Sequence, residues 1–221
     1  MRKKSGWKYV ARMRVHAQRA VEFFSNHGRI ERERAVCRAF LRCLGIPFTE
    51  AEIVAPAAEP VDVSFRDARF QIRDYRAPGA QPHGEWRARL ARATQARSMD
   101  DAIGPWPRVP DWSGTTTPMS LAELTVTITE ALEDKARRYG KECGTLDALV
   151  YADLTWTRSL RLDTEPGNTT RLVEQGWRSV SVLFPMIGLV LCARAEAPGF
   201  LREVAGTALY RWGDSDTLFK P

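Results

Sequence analysis

Apolar and polar residues alternate with a period of two along residues 60–65 and again along residues 68–74, with Arg66-Asp67 between the two runs. Successive side chains of an extended strand point to opposite faces, so this pattern predicts a β-hairpin. Elsewhere the period is helical. Val10, Met13, Ala17, Ala20, Val21 and Phe24 predict a helix over about residues 7–26, broken at Asn26 and Gly28 because glycine takes the left-handed conformation cheaply. A second helix runs from about Arg29 to Leu44 and stops at Gly45, and Ile46–Phe48 reads as a short strand. Residues 75–118 hold many Pro, Gly and Trp residues. One basic helix is expected there, from Gly84 or Glu85 to about Arg97, and Gly104–Pro110 cannot be regular structure. Ser120 and Glu123 form a capping box for a helix reaching about Lys141, with Gly144 ending it. Leu146–Leu154 is apolar enough for a buried central strand. Thr169–Gly176 reads as a short helix, Val180–Phe184 and Ile187–Ala193 as strands, and Pro198–Val204 as a last helix. The order predicts one α/β domain over residues 1–221. It comprises an N-terminal helix at about 7–26, a mixed-sheet core at about 29–155 and an extension at about 156–221.

Composition narrows the function classes. The 221 residues are 44% hydrophobic, enough for a real core, and the net charge is +6 with a pI near 9.4. That balance is compatible with nucleic acid without demanding it. Four cysteines and three histidines occur without a Cys-x-x-Cys pair, which argues against a zinc site and for a reducing compartment. Met1-Arg2-Lys3-Lys4 is basic but no apolar stretch follows, so a signal peptide is not expected. The longest apolar run, Val182–Ala193, is about 12 residues and too short to span a bilayer. A cytoplasmic protein with no membrane partner is the expectation.

On the second helix, Ile30, Cys37, Phe40, Leu41 and Leu44 share a face at about 100° per residue, with Glu33 in its middle and Glu31 nearly opposite. A buried carboxylate must be paired or metal-bound. Glu33 is therefore either the partner of a nearby arginine or part of a site. Asp62 opens the first hairpin strand, as an edge residue or as a site acid. Gln71 should share a face with Arg69 and Arg73, either solvated or forming one surface with them. Arg87, Arg89 and Arg92 on the basic helix are phosphate contacts or a solvated face. Trp106 and Trp112 stack on bases or anchor their loop. Asp147 and Asp153 bracket the buried strand, and Asp153 either supports a site or ends the strand.

A helical carboxylate, an Asp at a strand start and a polar-x-cation triplet on the paired strand occur here in αβββαβ order. This resembles the PD-(D/E)XK (restriction-endonuclease-like) nuclease superfamily. Phe24-Ser25-Asn26, Glu31-Arg32-Glu33-Arg34-Ala35-Val36-Cys37, Pro60-Val61-Asp62-Val63, Phe65-Arg66-Asp67-Ala68, Glu85-Trp86-Arg87 and Gln175-Gly176-Trp177-Arg178-Ser179 are similar to a bacterial family described as endonucleases of that superfamily. The family's activity is itself an inference from fold. The resemblance implies a hydrolase of DNA phosphodiester bonds with Mg²⁺ or Mn²⁺ held by Asp62 and by Gln71 or the Ile72 main-chain carbonyl. Glu33 would complete that shell or orient water. It also implies nucleic acid, DNA first, as the partner, with a homodimer allowed. The sequence departs from the pattern twice. Gln71 stands where Asp or Glu is usual, and Arg73, which stays protonated, stands where Lys is usual. A nuclease-like module that binds nucleic acid or protein without catalysis is the alternative these departures leave open.

Overall fold

The computed structural model describes residues 3–57, 59–76, 81–103, 118–153, 160, 161, 165, 167–184 and 187–210. In chain order the elements are α1 (Lys3–Phe23), α2 (Arg29–Cys43), β1 (Ile53–Val54), β2 (Val63–Phe65), β3 (Ala68–Arg76), α3 (Pro82–Gln95), α4 (Met99–Ile103), α5 (Leu121–Tyr139), β4 (Asp147–Asp153), α6 (Thr170–Glu174), β5 (Ser179–Phe184), β6 (Ile187–Ala193), α7 (Gly199–Arg202) and β7 (Ala208–Tyr210). They fall into two compact units. One holds α1, α3 and α4; the other holds the sheet and α5, with α2 belonging to it from Glu33 onward.

In the sheet unit the seven strands lie side by side in sequence order. The β1–β2, β2–β3, β5–β6 and β6–β7 pairs are antiparallel, while β3–β4 and β4–β5 are parallel. The fold is thus α/β with a mixed sheet, and α3 and α4 stand between β3 and α5 in the chain. Register assigns the faces. Gln71 pairs with Ala148 and Arg73 with Val150, whereas Phe70 pairs with Asp147 and Ile72 with Leu149. Side chains alternate along each strand, so Gln71, Ala148 and Val150 share one face. That face carries the main core, where Leu124, Ile128 and Leu132 of α5 meet Ala148, Val150, Val180, Val182 and Leu189. Each such Leu or Ile contributes roughly 1.5–3 kcal/mol on burial. The other face carries Phe70, whose ring meets Phe40 of α2 edge-on at 6.1 Å. There Gly188 lets α2 approach: a Cβ on it would stand 2.8 Å from Cys43 Cβ. α5 covers one side and α2 the other.

Helix α5 starts as expected. Glu123 N donates to Ser120 Oγ at 3.1 Å and Ser120 N to Glu123 Oε2 at 2.8 Å. Its buried threonines satisfy themselves, Thr125 Oγ1 donating to Leu121 O at 2.8 Å and Thr129 Oγ1 to Thr125 O at 2.7 Å. It ends at Tyr139 rather than Lys141, because Gly140 takes a positive φ of 53°. The strand expected at Ile46–Phe48 is not formed. Gly45 (φ 69°) closes α2, and Ile46 N donates back to Leu41 O at 3.0 Å, while Pro47 has no N–H to give a ladder. Strand pairing begins instead at Ile53–Val54, a two-residue edge against Phe65 and Ser64.

In the helical unit, α1 buries Val10, Ala17 and Ala20, and Val10 packs with Ala96 and Ala102. Arg14 Nε donates to Ala93 O at 2.6 Å and Nη2 to Thr94 O at 3.1 Å, satisfying carbonyls in the last turn of α3. Ile30, expected on an apolar face, is 59% exposed. The short helix α4 was not legible in the Pro- and Gly-rich stretch, and Trp106 and Trp112 lie outside the described residues. Among the described residues no helix is long and apolar enough to cross a membrane. A Cβ on Gly28, in the α1–α2 turn, would stand 2.4 Å from Glu22 O and 2.5 Å from Phe23 O. Backbone atoms cannot swing away as a side-chain tip can. Gly28→Ala is therefore expected to cost about 1–3 kcal/mol, read as a fall of several degrees in the midpoint of a circular-dichroism melt.

Candidate active site

The hairpin brings Asp62 and Gln71 together. Asp62 lies just before β2, and its N donates at 2.9 Å to the carbonyl of Phe70, the residue paired with Val63. Asp62 Oδ2 then accepts two hydrogen bonds, from Gln71 Nε2 at 2.6 Å and from Ile72 N at 2.7 Å. Both side chains are buried, Asp62 at 7% and Gln71 at 3% exposure. The turn that sets this register is Arg66-Asp67, with Arg66 at φ 53°. Gln71 is oriented by these contacts: its amide N–H is committed to the carboxylate, so its carbonyl points the other way.

Lys135 of α5 meets that carbonyl. Its ammonium donates to Gln71 Oε1 and, at 2.9 Å, to Ile72 O. One carboxylate, one amide, one main-chain carbonyl and one ammonium thus form a connected network on the α5 face. Lys135 was not among the sequence candidates, yet a signal existed. Ile128, Leu132, Lys135 and Tyr139 follow i, i+4, i+7, i+11 spacing, so the lysine lies in line with an apolar stripe. A lysine there is either snorkelling to water or reaching a buried acceptor.

The other candidates are placed as follows. Arg73 is exposed on β3, two residues beyond Gln71 on the same face as Arg69. Glu33 is half-buried near the start of α2, the helix that packs on the Phe70 side of the sheet, across from Gln71. Asp74 pairs with Arg76. In the helical unit, Arg87 is exposed, Arg92 is half-buried, and Arg89 lies over the Trp86 ring at 4.6 Å. Trp86 in turn meets His16 edge-on at 5.1 Å. Burial and, second, the Arg89 charge push the His16 imidazole below its usual range. Asp153 ends β4, and its side chain lies outside the described residues.

Asp147 has a different role. It is fully buried, and its carboxylate accepts from Arg178 Nε at 3.1 Å, from Arg178 Nη2, from Ser179 Oγ at 2.7 Å and from Arg69 N at 2.9 Å. Arg178 also donates to Asp67 O at 2.9 Å. This cluster ties the hairpin turn to β4 and β5. Thiol chemistry is not at hand in the core: burial pushes Cys37 up to about 12 and Cys192 to about 11, far from the thiolate form a nucleophile needs.

Asp62, Gln71 Oε1 and Ile72 O are all oxygen donors, which in kind suit Mg²⁺ or Mn²⁺. They carry one negative charge, and Lys135 balances it. Magnesium is commonly held by one or two carboxylates together with substrate phosphates, and here a dication would have to displace the Lys135 ammonium from Gln71 Oε1 and Ile72 O. Among the described residues no three His, Cys, Asp or Glu side chains gather into a group that could hold a metal ion.

A protein of unknown function from Pseudomonas aeruginosa strain PAO1, described as of the monooxygenase superfamily, is 26% identical to this chain. The two superpose with a TM-score of 0.64 over 96% of this chain and 97% of that one. No curated protein matches. Residues 6–215 match the family described as "Putative endonuclease, protein of unknown function (DUF1780)". That match takes in α1 and α3 as well as the whole hairpin centre, and the chain belongs to this family.

Proposed function

We propose that this protein is an endonuclease that hydrolyses DNA phosphodiester bonds at the place where Asp62, Gln71 and Lys135 meet. The observation carrying this reading is the Asp62–Gln71–Lys135 network on a hairpin of a mixed α/β sheet. The family description and the α2-β1-β2-β3-α5-β4 order, which resembles the PD-(D/E)XK core, support it. Mg²⁺ or Mn²⁺ would be held by Asp62 with Gln71 Oε1 or Ile72 O, and would supply an activated water and neutralise charge on the phosphate. The chain's own residues do the rest. Asp62 orients the Gln71 amide and the Ile72 main chain through its two accepted bonds. Lys135 presents a positive charge beside those oxygens, where a phosphate oxygen would gather negative charge in the transition state. Arg73, exposed two residues along, would clamp a neighbouring phosphate in the bidentate manner of a guanidinium.

A plasmid-nicking assay with Mg²⁺ and with Mn²⁺ tests the reading. The unaltered protein is expected to nick, and Asp62→Asn to nick at least about 100-fold more slowly, the usual scale for losing a group that acts in the transition state. Nicking that survives undiminished in Asp62→Asn would overturn it. Adding Glu33→Gln separates the two roles left open for that residue, because an arginine partner affects the melting temperature and a site acid affects the rate.

A second reading has one specific observation in its favour. Lys135 already bonds to two of the three oxygens assigned to a metal, as a protein cation would in a centre that only binds. That reading expects salt-sensitive DNA binding with no cleavage, unchanged by Asp62→Ala.

A further inference from the structure

We propose that the outward face of α1, built from Lys8, Arg12 and Arg19, docks on the phosphate backbone of duplex DNA. The inference rests on the endonuclease reading for its partner and on α1 itself for its geometry. At about 100° per residue, Lys8, Arg12, Val15 and Arg19 fall within one narrow stripe of the helix. All four are exposed, Val15 at 52%. The opposite side of α1 carries the buried Val10, Ala17 and Ala20. The stripe from Lys8 to Arg19 is about 16 Å long by helix rise, close to the axial span of about five base pairs.

The charge of this stripe is one-sided. From Lys3 to Phe23 the only acid is Glu22, and no acid pairs with Lys8, Arg12 or Arg19 among the described residues. Like charges four residues apart on a helix repel, and a solvated surface helix ordinarily mixes signs. A polyanion removes the repulsion and gives back counterions on binding. Trp7 at 55% and Tyr9 at 38% exposure flank the stripe, adding rings that can lie against sugar or base edges. Helix α3 is the poorer surface, because Arg89 is stacked on Trp86 and Arg92 is half-buried. An anionic membrane surface is the lesser fit. An interfacial helix lays its apolar face into the lipid, and the apolar face of α1 is already packed within the helical unit.

Fluorescence anisotropy of the full chain with a labelled duplex, from 50 to 200 mM salt, tests the docking. The triple variant Lys8→Gln/Arg12→Gln/Arg19→Gln is expected to lose at least tenfold in affinity and to lower the log–log salt slope by about 3. The charge-matched control Arg137→Gln/Arg138→Gln/Lys141→Gln, on the sheet unit, is expected to retain wild-type affinity. Equal losses in both triples would show a bulk-charge effect and overturn the proposal. Unchanged affinity in the α1 triple, with its circular-dichroism melt intact, would overturn it too, as would loss of binding to phosphatidylserine vesicles in place of duplex. The two proposals fail separately. Duplex binding through α1 without nicking would sink the endonuclease reading alone, and nicking with an unimpaired α1 triple would sink the docking face alone.

Discussion

Lys135→Met is expected to move metal binding and DNA cleavage in opposite directions. In the unaltered protein the ammonium bonds to Gln71 Oε1 and Ile72 O, so a dication must take those oxygens from it. Methionine is of similar length and carries no donor or charge. With the lysine gone, the remaining cluster has a net negative charge from Asp62, and titration calorimetry with Mn²⁺ in the absence of nucleic acid should show tighter binding than in the unaltered protein. The same change removes the positive charge that faces the reacting phosphate. Nicking is expected to fall by about 100- to 1000-fold, the range seen when a preorganised electrostatic group is deleted. Two partly buried acceptors also lose a donor, a cost of about 1–3 kcal/mol each before water replaces it. Lys135→Arg keeps charge and donors, and should restore part of the rate without the gain in Mn²⁺ affinity. If Lys135→Met binds Mn²⁺ no better than the unaltered protein and nicks as fast, Lys135 is only a structural contact.

The second large effect concerns stability. Asp147→Ala is expected to lower the thermal midpoint by roughly 10 °C. The carboxylate is fully buried and accepts four hydrogen bonds, two of them from one guanidinium that is itself only 13% exposed. Deleting one partner of a buried ion pair leaves an uncompensated charge and costs about 3–5 kcal/mol, and a chain of this size loses about 2–4 °C per kcal/mol. The hydroxyl of Ser179 and the amide of Arg69 lose their acceptor at the same time. Asp147→Ala/Arg178→Met removes the stranded charge along with its partner, and should melt above Asp147→Ala alone. A double variant that melts lower than the single one would show that Arg178 stabilises the sheet by other contacts, chiefly the one to Asp67 O.

The hairpin was legible because its information is local. A period of two, a turn at Arg66-Asp67 and an acid one step beyond the paired strand suffice to put Asp62 beside Gln71. The α5 capping box was legible for the same reason. Lys135 was not, because it lies 64 residues from Gln71, and only the parallel β3–β4 register together with the packing of α5 brings the two into contact. Asp147 was noticed as a strand end and not as an ion pair, since Arg178 enters from β5's approach 31 residues later. The Ile46–Phe48 strand failed on a competition that periodicity does not see: the amide of Ile46 was already taken by the end of α2. Glu33 lies on the expected helix, but which face of the sheet that helix covers is a tertiary fact, fixed by Phe40 on Phe70 and by the absence of a side chain at Gly188.

The division of the chain has a consequence for the order of assembly. Helix α1 ends at Phe23, and the α3 helix it packs with begins at Pro82, after the hairpin. Lys135 lies later still. A nascent chain long enough to pair Asp62 with Gln71 therefore holds the acid and the amide without the lysine, and a basic α1 with its apolar side uncovered. Contacts this distant in sequence close slowly, so the ability to grip a polyanion would precede the ability to act on it during synthesis. A circular permutant that opens before Arg29 and carries α1 at its C-terminal end should reverse that order.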